Sequence, residues 1–269
     1  MIDANALVGT HDVLFVTLDT LRYDVAVQAL SEGSTPNFAR ILPQGKWEKR
    51  HTPGNFTYSA HHAFFAGFLP TPAAPGKHSR LFATRFDGSE TTSPQTCVFD
   101  APDIITGFAL RGYHTICVGG VGFFNKRNPM GCVLPGFFQE SHWSPEMGVT
   151  DRHSTENQVH VARQAIEALP KERRLFLFVN VSALHQPNCI FLEGATSDSL
   201  LTHRAALEYV DECMPSLFTL LQRRARVICI VCSDHGTAYG EDGYFGHRLC
   251  HPVIWEVPYA EFVLPERRA

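Results

Sequence analysis

The sequence predicts an α/β fold, a three-layer α/β/α sandwich around a mostly parallel central sheet. Short runs rich in β-branched and aromatic residues alternate with longer segments of helical period. The short runs are apolar almost throughout, as strands buried on both faces of a parallel sheet are. No shift in composition divides the chain, so we expect a single domain over residues 1–269.

Four runs predict the strands of this sheet, at residues 13–18, 115–118, 175–181 and 227–232. The predicted helices cover residues 36–42, 103–111, 154–169 and 199–223. The last of them carries an apolar stripe at three- and four-residue steps, which is typical of a helix packed on a sheet. Residues 70–97 and 120–150 are richer in Pro, Gly, Ser and aromatic residues, and we expect long loops there.

Composition limits the classes of function. The chain has 269 residues, 44% of them hydrophobic, which is enough for a sizeable core. A formal net charge of −4 argues against nucleic-acid binding through a broad basic face. No apolar run approaches the roughly 20 residues of a membrane span. Since the N-terminus lacks a basic start and a long apolar stretch, no secretory signal is visible and a cytoplasmic location is expected.

The eight cysteines show no spacing typical of a zinc knuckle. Cys229 and Cys232 form a C-x-x-C, but they lie in a predicted strand at an odd offset. Such an offset places side chains on opposite faces of the sheet. Buried free thiols are therefore expected rather than a redox or zinc pair.

Polar side chains follow three of the predicted strands. Asp19 follows the first, His185 the third, and Asp234-His235 the fourth. Ligands in open α/β sheets bind beyond the carboxyl ends of the strands, and carboxylates and imidazoles are ligands of divalent ions. Taken singly, Asp19 also fits a helix cap and each histidine fits a structural role. Their convergence at one edge, together with His247, favours a metal-dependent site.

Several segments, in order, resemble the signature segments of the alkaline phosphatase superfamily, and most closely those of its sulfatase-like branch. They are Val16-Thr-Leu-Asp-Thr-Leu-Arg-Tyr-Asp24, Ser34-Thr-Pro-Asn37, Gly112-Tyr-His-Thr-Ile-Cys-Val-Gly119, Leu207 through Asp211, Cys232-Ser-Asp-His-Gly236, Gly240-Glu241, Gly246-His247 and Val257-Pro258. Each piece alone is weak, whereas the ordered set is specific and extends from residue 12 to about residue 264. The resemblance implies an alkaline phosphatase-like fold without the usual C-terminal subdomain.

The resemblance also implies a nucleophile ten residues before the glycine that ends its helix. Gly67 takes that glycine's place, so the nucleophile is expected at Thr57, with Ser59 as the rival. Sulfatases use Cys or Ser in C/S-x-P-x-R, which is converted to formylglycine. This chain lacks the Cys, the Pro and the Arg, so no formylglycine is expected. A threonine resembles phosphodiesterases, lipoteichoic acid synthases and phosphoethanolamine transferases, in which threonine attacks phosphorus.

By the same resemblance, one divalent ion (Zn, Mn, Mg or Ca) activates the threonine and neutralises charge on the transferred group. The expected ligands are Asp19, Thr57, Asp234 and His235; His185 and His247 are expected to act on the substrate or leaving group, and Thr20 and Asn125 to bind substrate. Two-metal relatives carry Asp-x-x-x-His where this chain has Val181 through His185. That departure favours one ion, with His185 and His247 as the candidates for a second.

The function expected from these residues is a metal-dependent hydrolase of phosphate, phosphodiester or phosphonate esters. Sulfate esters are less favoured, because Gly119-Gly120 stands where sulfatases have Gly-Lys. The alternatives are a phospho-group transferase with the same nucleophile and a non-catalytic scaffold. The expected substrate is a small-molecule or lipid-type anionic ester. Since the resemblance implies a fold without the usual C-terminal subdomain, we hypothesise that a partner or a second copy of the chain completes the pocket.

Overall fold

The structure is a computed structural model that describes residues 2–67 and 103–267. Its strands are β1 (Asp12–Leu18), β2 (Glu48–His51), β3 (His114–Val118), β4 (Glu140–His142), β5 (Leu175–Val181), β6 (Val227–Cys232), β7 (Ala238–Tyr239), β8 (Phe245–Gly246) and β9 (Glu256–Leu264). Its α-helices are α1 (Ala4–Leu7), α2 (Tyr23–Ser31), α3 (Pro36–Ile41), α4 (Thr57–Ala66), α5 (Ile104–Leu110), α6 (Pro129–Val133), α7 (Ser154–Ala168), α8 (Leu200–Cys213), α9 (Pro215–Arg224) and α10 (Pro252–Trp255).

Seven of these strands form one sheet in the order β2-β9-β6-β1-β5-β3-β4. Strands β6, β1, β5, β3 and β4 run parallel, and β9 pairs antiparallel with both β6 and β2. The predicted mixed α/β fold with a mostly parallel sheet is therefore confirmed. Strand β1 lies at the centre, because its run of apolar residues is buried along its whole length.

Helices cover both faces of the sheet. Alternate residues of β1 divide between two apolar clusters: Leu14 and Val16 face a layer built from α2, α3, α7, α8 and α9. Val13 and Phe15 face a layer that includes α4 and α5 and is rich in phenylalanine. This division follows from the two-residue period of a strand. It also places α4, which begins at Thr57, over the centre of the sheet.

The predicted helix over residues 199–223 is wrong in one respect, because it is two helices. The chain leaves α8 after Cys213 and begins α9 at Pro215. A proline has no N–H for the i to i−4 bond, and its ring clashes with the preceding turn.

Strands β2, β4, β7, β8 and β9 were not predicted, and residues 120–150 form α6, β4 and short 3-10 turns rather than an unbroken loop. Strand β9 borders a single internal strand and the short edge strand β2, so it mixes apolar and polar residues instead of forming an apolar run. The second predicted loop, over residues 70–97, lies outside the described residues.

One smaller sequence prediction is also confirmed. Cys229 and Cys232 belong to the clusters on opposite faces of the sheet, as their odd offset predicts. Within residues 2–67 and 103–267, none of the helices is both long enough and apolar enough to cross a bilayer.

Candidate active site

The candidate site lies at the carboxyl edge of the three central strands. Asp19 follows β1, His185 comes four residues after β5, and Asp234 and His235 follow β6. Because β1 lies between β5 and β6, these side chains meet at one place. Ligand atoms of Asp19, Asp234 and His235 all lie within 4.8 Å of one another, and all three residues are buried.

Thr57 is the first residue of α4 and points into this group. Its Oγ1 lies 3.3 Å from Asp19 Oδ2 and 3.4 Å from His235 Nε2. The Ser59 hydroxyl instead donates to the Phe56 carbonyl at 3.0 Å. The N-terminus of a helix also favours negative charge. The geometry thus favours Thr57 over Ser59 as the group that meets the substrate.

Backbone groups hold Asp234 in place. Its Oδ1 accepts from the N–H of Thr20 at 3.1 Å and from the N–H of His235 at 3.0 Å. Thr20 has a φ of 64°, a conformation that β-branched residues rarely adopt and that is typical of functional sites. The Thr20 hydroxyl donates to the Leu184 carbonyl at 3.0 Å, so this residue supports Asp234 through its backbone, and its substrate contact stays a prediction.

Among the described residues, each carboxylate of the site keeps one oxygen without a hydrogen-bond partner. Asp19 Oδ2 accepts from Asn180 Nδ2 at 3.1 Å, whereas Asp19 Oδ1 and Asp234 Oδ2 have no hydrogen bond within the described part of the chain. The Nδ1 of His235 lies 2.9 Å from the Gly236 carbonyl, which only accepts, so Nδ1 carries the proton and Nε2 offers a lone pair. Buried polar atoms are normally satisfied. Two orphaned carboxylate oxygens beside an imidazole lone pair fit a divalent cation.

The electrostatics of this group agree with that fit. Burial, together with the repulsion between the two carboxylates, raises the pKa of Asp19 to about 6. Burial raises the pKa of Asp234 to about 7. Burial lowers the pKa of His235. All three groups are therefore biased toward their neutral forms, and a bound cation would favour both carboxylates in their charged form.

The two further predicted histidines stand beside this centre. The ring of His247 lies 4.7 Å from that of His235 and 5.5 Å from that of His185, between centroids. Burial, and then the nearby His235, His185 and Arg248, lower the pKa of His247 to about 3. His247 is therefore a neutral imidazole here, and it would stabilise charge by donating a hydrogen bond rather than as a cation.

A pocket of about 380 Å³ opens onto Thr57. Its lining includes Asn125, His185, His247 and Arg248 together with apolar side chains. A cavity of about 340 Å³ elsewhere is lined mainly by apolar groups such as Phe15, Phe108 and Ile230 and holds none of the candidate site residues. We take the first as the candidate substrate pocket because Thr57, His185 and His247 line it.

Two residues of this site were missed by the sequence reasoning. Arg248 lines the pocket and brings a guanidinium to it, and its backbone N–H donates to the Asn55 carbonyl at 2.9 Å. The feature of the sequence that could have indicated Arg248 is its position directly after His247. Asn180 holds Asp19 from within β5, and the signal was a polar residue in an otherwise apolar strand.

Three other histidines close to the sequence motifs have different surroundings. His251 caps α10, since its Nδ1 accepts from the Val253 N–H at 3.2 Å. His61 and His62 are buried on α4, where burial lowers the pKa of His61 to about 3 and that of His62 to about 4. Of these, His61 lies closest to the carboxylates, with Nδ1 3.7 Å from Asp234 Oδ2.

Two glycines of the motifs are required by close packing. A Cβ at Gly120 would lie 2.3 Å from the Asn180 carbonyl oxygen, so the lysine that sulfatases carry there has no room in this fold. A Cβ at Gly236 would lie 1.8 Å from the Val253 carbonyl oxygen. Gly236 is therefore needed because the chain behind it approaches closely.

Known structures share this architecture. The C-terminal periplasmic domain of phosphoethanolamine transferase EptC from Campylobacter jejuni is 13% identical, with a TM-score of 0.64 over 94% of this chain and 80% of that chain. The corresponding EptC domain from Escherichia coli, in complex with Zn, is 10% identical, with a TM-score of 0.64 over 94% of this chain and 73% of that one. An alkaline phosphatase superfamily protein from Vibrio parahaemolyticus is 17% identical, with a TM-score of 0.56 over 94% and 60%.

Neither a protein-family model nor a curated protein sequence matches the chain. The structural likeness confirms, at the level of the fold, the resemblance read from the sequence motifs. The chain has the fold of the alkaline phosphatase superfamily.

Proposed function

We propose that this chain is a metal-dependent enzyme that takes a phosphorus-containing group from an ester onto Thr57 and passes it to an acceptor alcohol. The observation that carries the proposal is the buried Thr57 hydroxyl, placed between Asp19 and His235 where two carboxylate oxygens lack partners. A non-catalytic scaffold has no need of buried, unsatisfied charge, which is costly to keep.

Asp19, Asp234 and His235 would hold the cation, and the Thr57 oxygen lies within reach of the same point. When bound, a divalent ion would lower the pKa of the threonine hydroxyl and neutralise negative charge on the phosphoryl group. A set of carboxylate oxygens and one imidazole suits Zn or Mn, and Mg or Ca less well because these prefer oxygen ligands alone.

In the first step the Thr57 oxygen forms a bond to phosphorus while the ester P–O bond breaks. The hydroxyl proton passes to Asp19 Oδ2, 3.3 Å away. The leaving oxygen takes a proton from solvent water in the open pocket and departs as an alcohol. His185 and His247 face the pocket from the side of β5 and β6, where they bind the leaving or phosphoryl oxygens, and Arg248 adds positive charge.

In the second step the oxygen of an acceptor hydroxyl forms a bond to phosphorus while the Thr57 O–P bond breaks. The Thr57 oxygen takes its proton back from Asp19, and the proton of the acceptor passes to solvent. Transfer to an alcohol is favoured over hydrolysis because the EptC neighbours of similar fold are phosphoethanolamine transferases. Sulfate transfer is disfavoured by the threonine, which cannot become formylglycine, and by the lack of room for a lysine at Gly120. The substrate class remains a small-molecule or lipid-type anionic ester; the cytoplasmic location, the single ion and the partner that completes the pocket stay predictions.

The test uses tag-free protein, metal analysis and a panel of nitrophenyl phosphate, phosphodiester, phosphonate and sulfate esters. We expect one divalent ion per chain, turnover of phosphorus esters, and increased release of nitrophenol together with a phosphorylated alcohol when an acceptor alcohol is added. Mass spectrometry of an acid-quenched reaction should find the phospho-group on the peptide that contains Thr57.

The matched pair is Thr57→Ala and Ser59→Ala. The first should abolish turnover and labelling, and the second should leave both within about twofold, since its hydroxyl is tied to a backbone carbonyl. Label on Ser59, or failure to bind metal after supplementation with Zn or Mn, would overturn the proposal. Release of inorganic phosphate alone, at every alcohol concentration, would assign hydrolysis instead.

A further inference from the structure

Two polar side chains face each other beneath the site in the apolar centre of the sheet. Thr17 of β1 and Asn180 of β5 are register partners, and neither is exposed. Both point toward the layer that contains α4, as Val13, Phe15, Phe176 and Phe178 do. Burying such a pair is costly unless its hydrogen bonds are made, so their partners indicate what they are for.

The direction of each hydrogen bond here follows from groups that can only donate or only accept. Asn180 Oδ1 accepts from the Val121 N–H at 3.0 Å, which turns the Asn180 amide nitrogen toward Asp19 Oδ2 at 3.1 Å and Thr17 Oγ1 at 3.2 Å. The Thr17 hydroxyl, accepting from Asn180, is left to donate to His61 Nε2 at 3.0 Å. His61 Nδ1 donates to the Thr57 carbonyl at 2.7 Å.

These bonds form a closed ring, because Thr57 Oγ1 itself lies 3.3 Å from Asp19 Oδ2. The hydrogen-bond ring runs through Asp19, Asn180, Thr17, His61 and Thr57 and back to Asp19. It fixes the backbone of the nucleophile relative to the carboxylate that faces its hydroxyl. It also occupies Asp19 Oδ2, so that Oδ1 is the oxygen left for a cation.

We propose that His61 and Thr17 are positioning residues, which set the Thr57 oxygen against Asp19 through this ring and touch neither substrate nor ion. The inference rests on the proposed function only in taking Thr57 as the nucleophile. A nucleophile displaced by about 1 Å can cost about 100-fold in rate. Loss of the ring is therefore expected to lower kcat while KM, which depends on the pocket, stays within about twofold.

His61→Phe separates positioning from stability. The His61 ring already packs edge-on against Phe64, Phe65, Phe124 and Phe178. A phenyl ring fits such surroundings, so we expect the thermal midpoint to stay within a few degrees of the parent's while kcat falls by about 10- to 100-fold. A purely structural histidine would give the opposite result, a lower midpoint and an unchanged kcat per folded molecule.

Thr17→Val opens the same ring at a second place without changing shape and keeps the test decisive if His61→Phe folds poorly. The double variant should be no slower than the slower single variant, because both break one ring. Fully multiplying effects, or kcat within twofold of the parent in Thr17→Val and His61→Phe, would overturn the inference. Thr155→Val is the matched control, since Thr155 on α7 is buried with no hydrogen bond to its hydroxyl among the described residues.

A second readout does not depend on turnover. In protein labelled with ¹⁵N-histidine, the spectrum should show, besides the buried His235, a second buried imidazole protonated at Nδ1, identified as His61 by its absence in His61→Phe. Thr17→Val should shift its Nε2 resonance, and Thr155→Val should not. A His61 protonated at Nε2, or one insensitive to Thr17→Val, would refute the ring even in an active enzyme. Without any turnover the proposed function fails, and this spectrum still decides the ring.

Discussion

Strand β1 carries a buried carboxylate at each end, and the two differ in whether the chain supplies partners for their oxygens. Asp12 begins the strand and is fully paired: it accepts from Arg224 Nε at 2.9 Å and from the Leu175 N–H at 3.1 Å, with Arg174 Nη1 at 3.1 Å. Asp19 follows the strand, faces Asp234, and leaves Oδ1 without a partner among the described residues.

The difference distinguishes a buried charge that the chain satisfies from one that it leaves partly unsatisfied. Burial raises the pKa of both carboxyl groups, but at Asp12 the two arginines oppose that effect, whereas at Asp19 the neighbouring Asp234 adds to it. A buried charge that the chain satisfies itself fixes the fold. A buried charge that the chain leaves unsatisfied, beside another of the same sign, indicates that something outside the chain completes it.

The largest effect is expected at the unsatisfied end. Asp19→Asn removes a ligand and the proton acceptor for Thr57, so kcat/KM should fall by about 10³-fold. Stability of the metal-free protein should hold or rise, because a repelled buried charge is gone. Steady-state kinetics and urea unfolding measure the two. A metal-free Asp19→Asn protein that unfolds much more easily than its parent would place Asp19 in the same class as Asp12.

At the paired end the expectation reverses. Asp12→Asn leaves the Arg224 guanidinium, which is nearly buried, without its counter-charge, and should cost about 3–5 kcal/mol in the free energy of unfolding. The rate per folded molecule should stay within twofold, since Asp12 lies at the opposite end of the strand from the site. Urea unfolding and activity at low temperature check both. A large loss of kcat with stability retained would contradict the division between the two ends.

Sequence alone predicted which side chains at the strand ends come together, because strand-tip position is a topological property. Asp19, His185 and Asp234-His235 were predicted from the strands that they follow, without knowing which strands are neighbours. Thr57 came from the resemblance and the spacing to Gly67, and the structure brings its hydroxyl to Asp19.

The residues that support the site could not be predicted from the sequence, for a physical reason. Thr17 and Asn180 matter only as a pair, and that pair exists because β1 and β5 are adjacent in register, which no local pattern encodes. The backbone of Arg248 has a φ of 70°, and the sequence does not reveal this conformation, which directs the chain at the pocket. The break at Pro215, by contrast, could have been predicted from the proline itself. It was missed because the apolar stripe continues on both sides of the proline.

A smaller effect is expected on the pH dependence of stability, and it arises at the unsatisfied end of β1. The folded pKa values of Asp19 and Asp234, about 6 and about 7, lie above the usual value near 4. Such groups favour the fold fully below pH 4, and that contribution is lost as the pH rises through 6 and 7. Chelator-treated protein should therefore lose thermal stability between pH 5 and pH 8. The loss should be smaller in Asp19→Asn and should largely disappear when Zn or Mn is added; an equal loss in all three samples would assign it to other groups.

The smallest effect tests whether Asp12 is held by one partner or by several. Arg174 is about a quarter exposed, with a side-chain exposure of 26%, whereas Arg224 is 6% exposed and also donates to the Leu169 and Pro170 carbonyls. Water screens the Arg174 pair, so Arg174→Gln should cost about 1 kcal/mol or less. Arg224→Gln, the matched variant, should cost several times more, because it leaves Asp12 buried with only the screened cation. Equal losses in the free energy of urea unfolding would mean that Asp12 depends on both arginines together. A loss of activity in Arg174→Gln would show that the paired end of β1 affects the site.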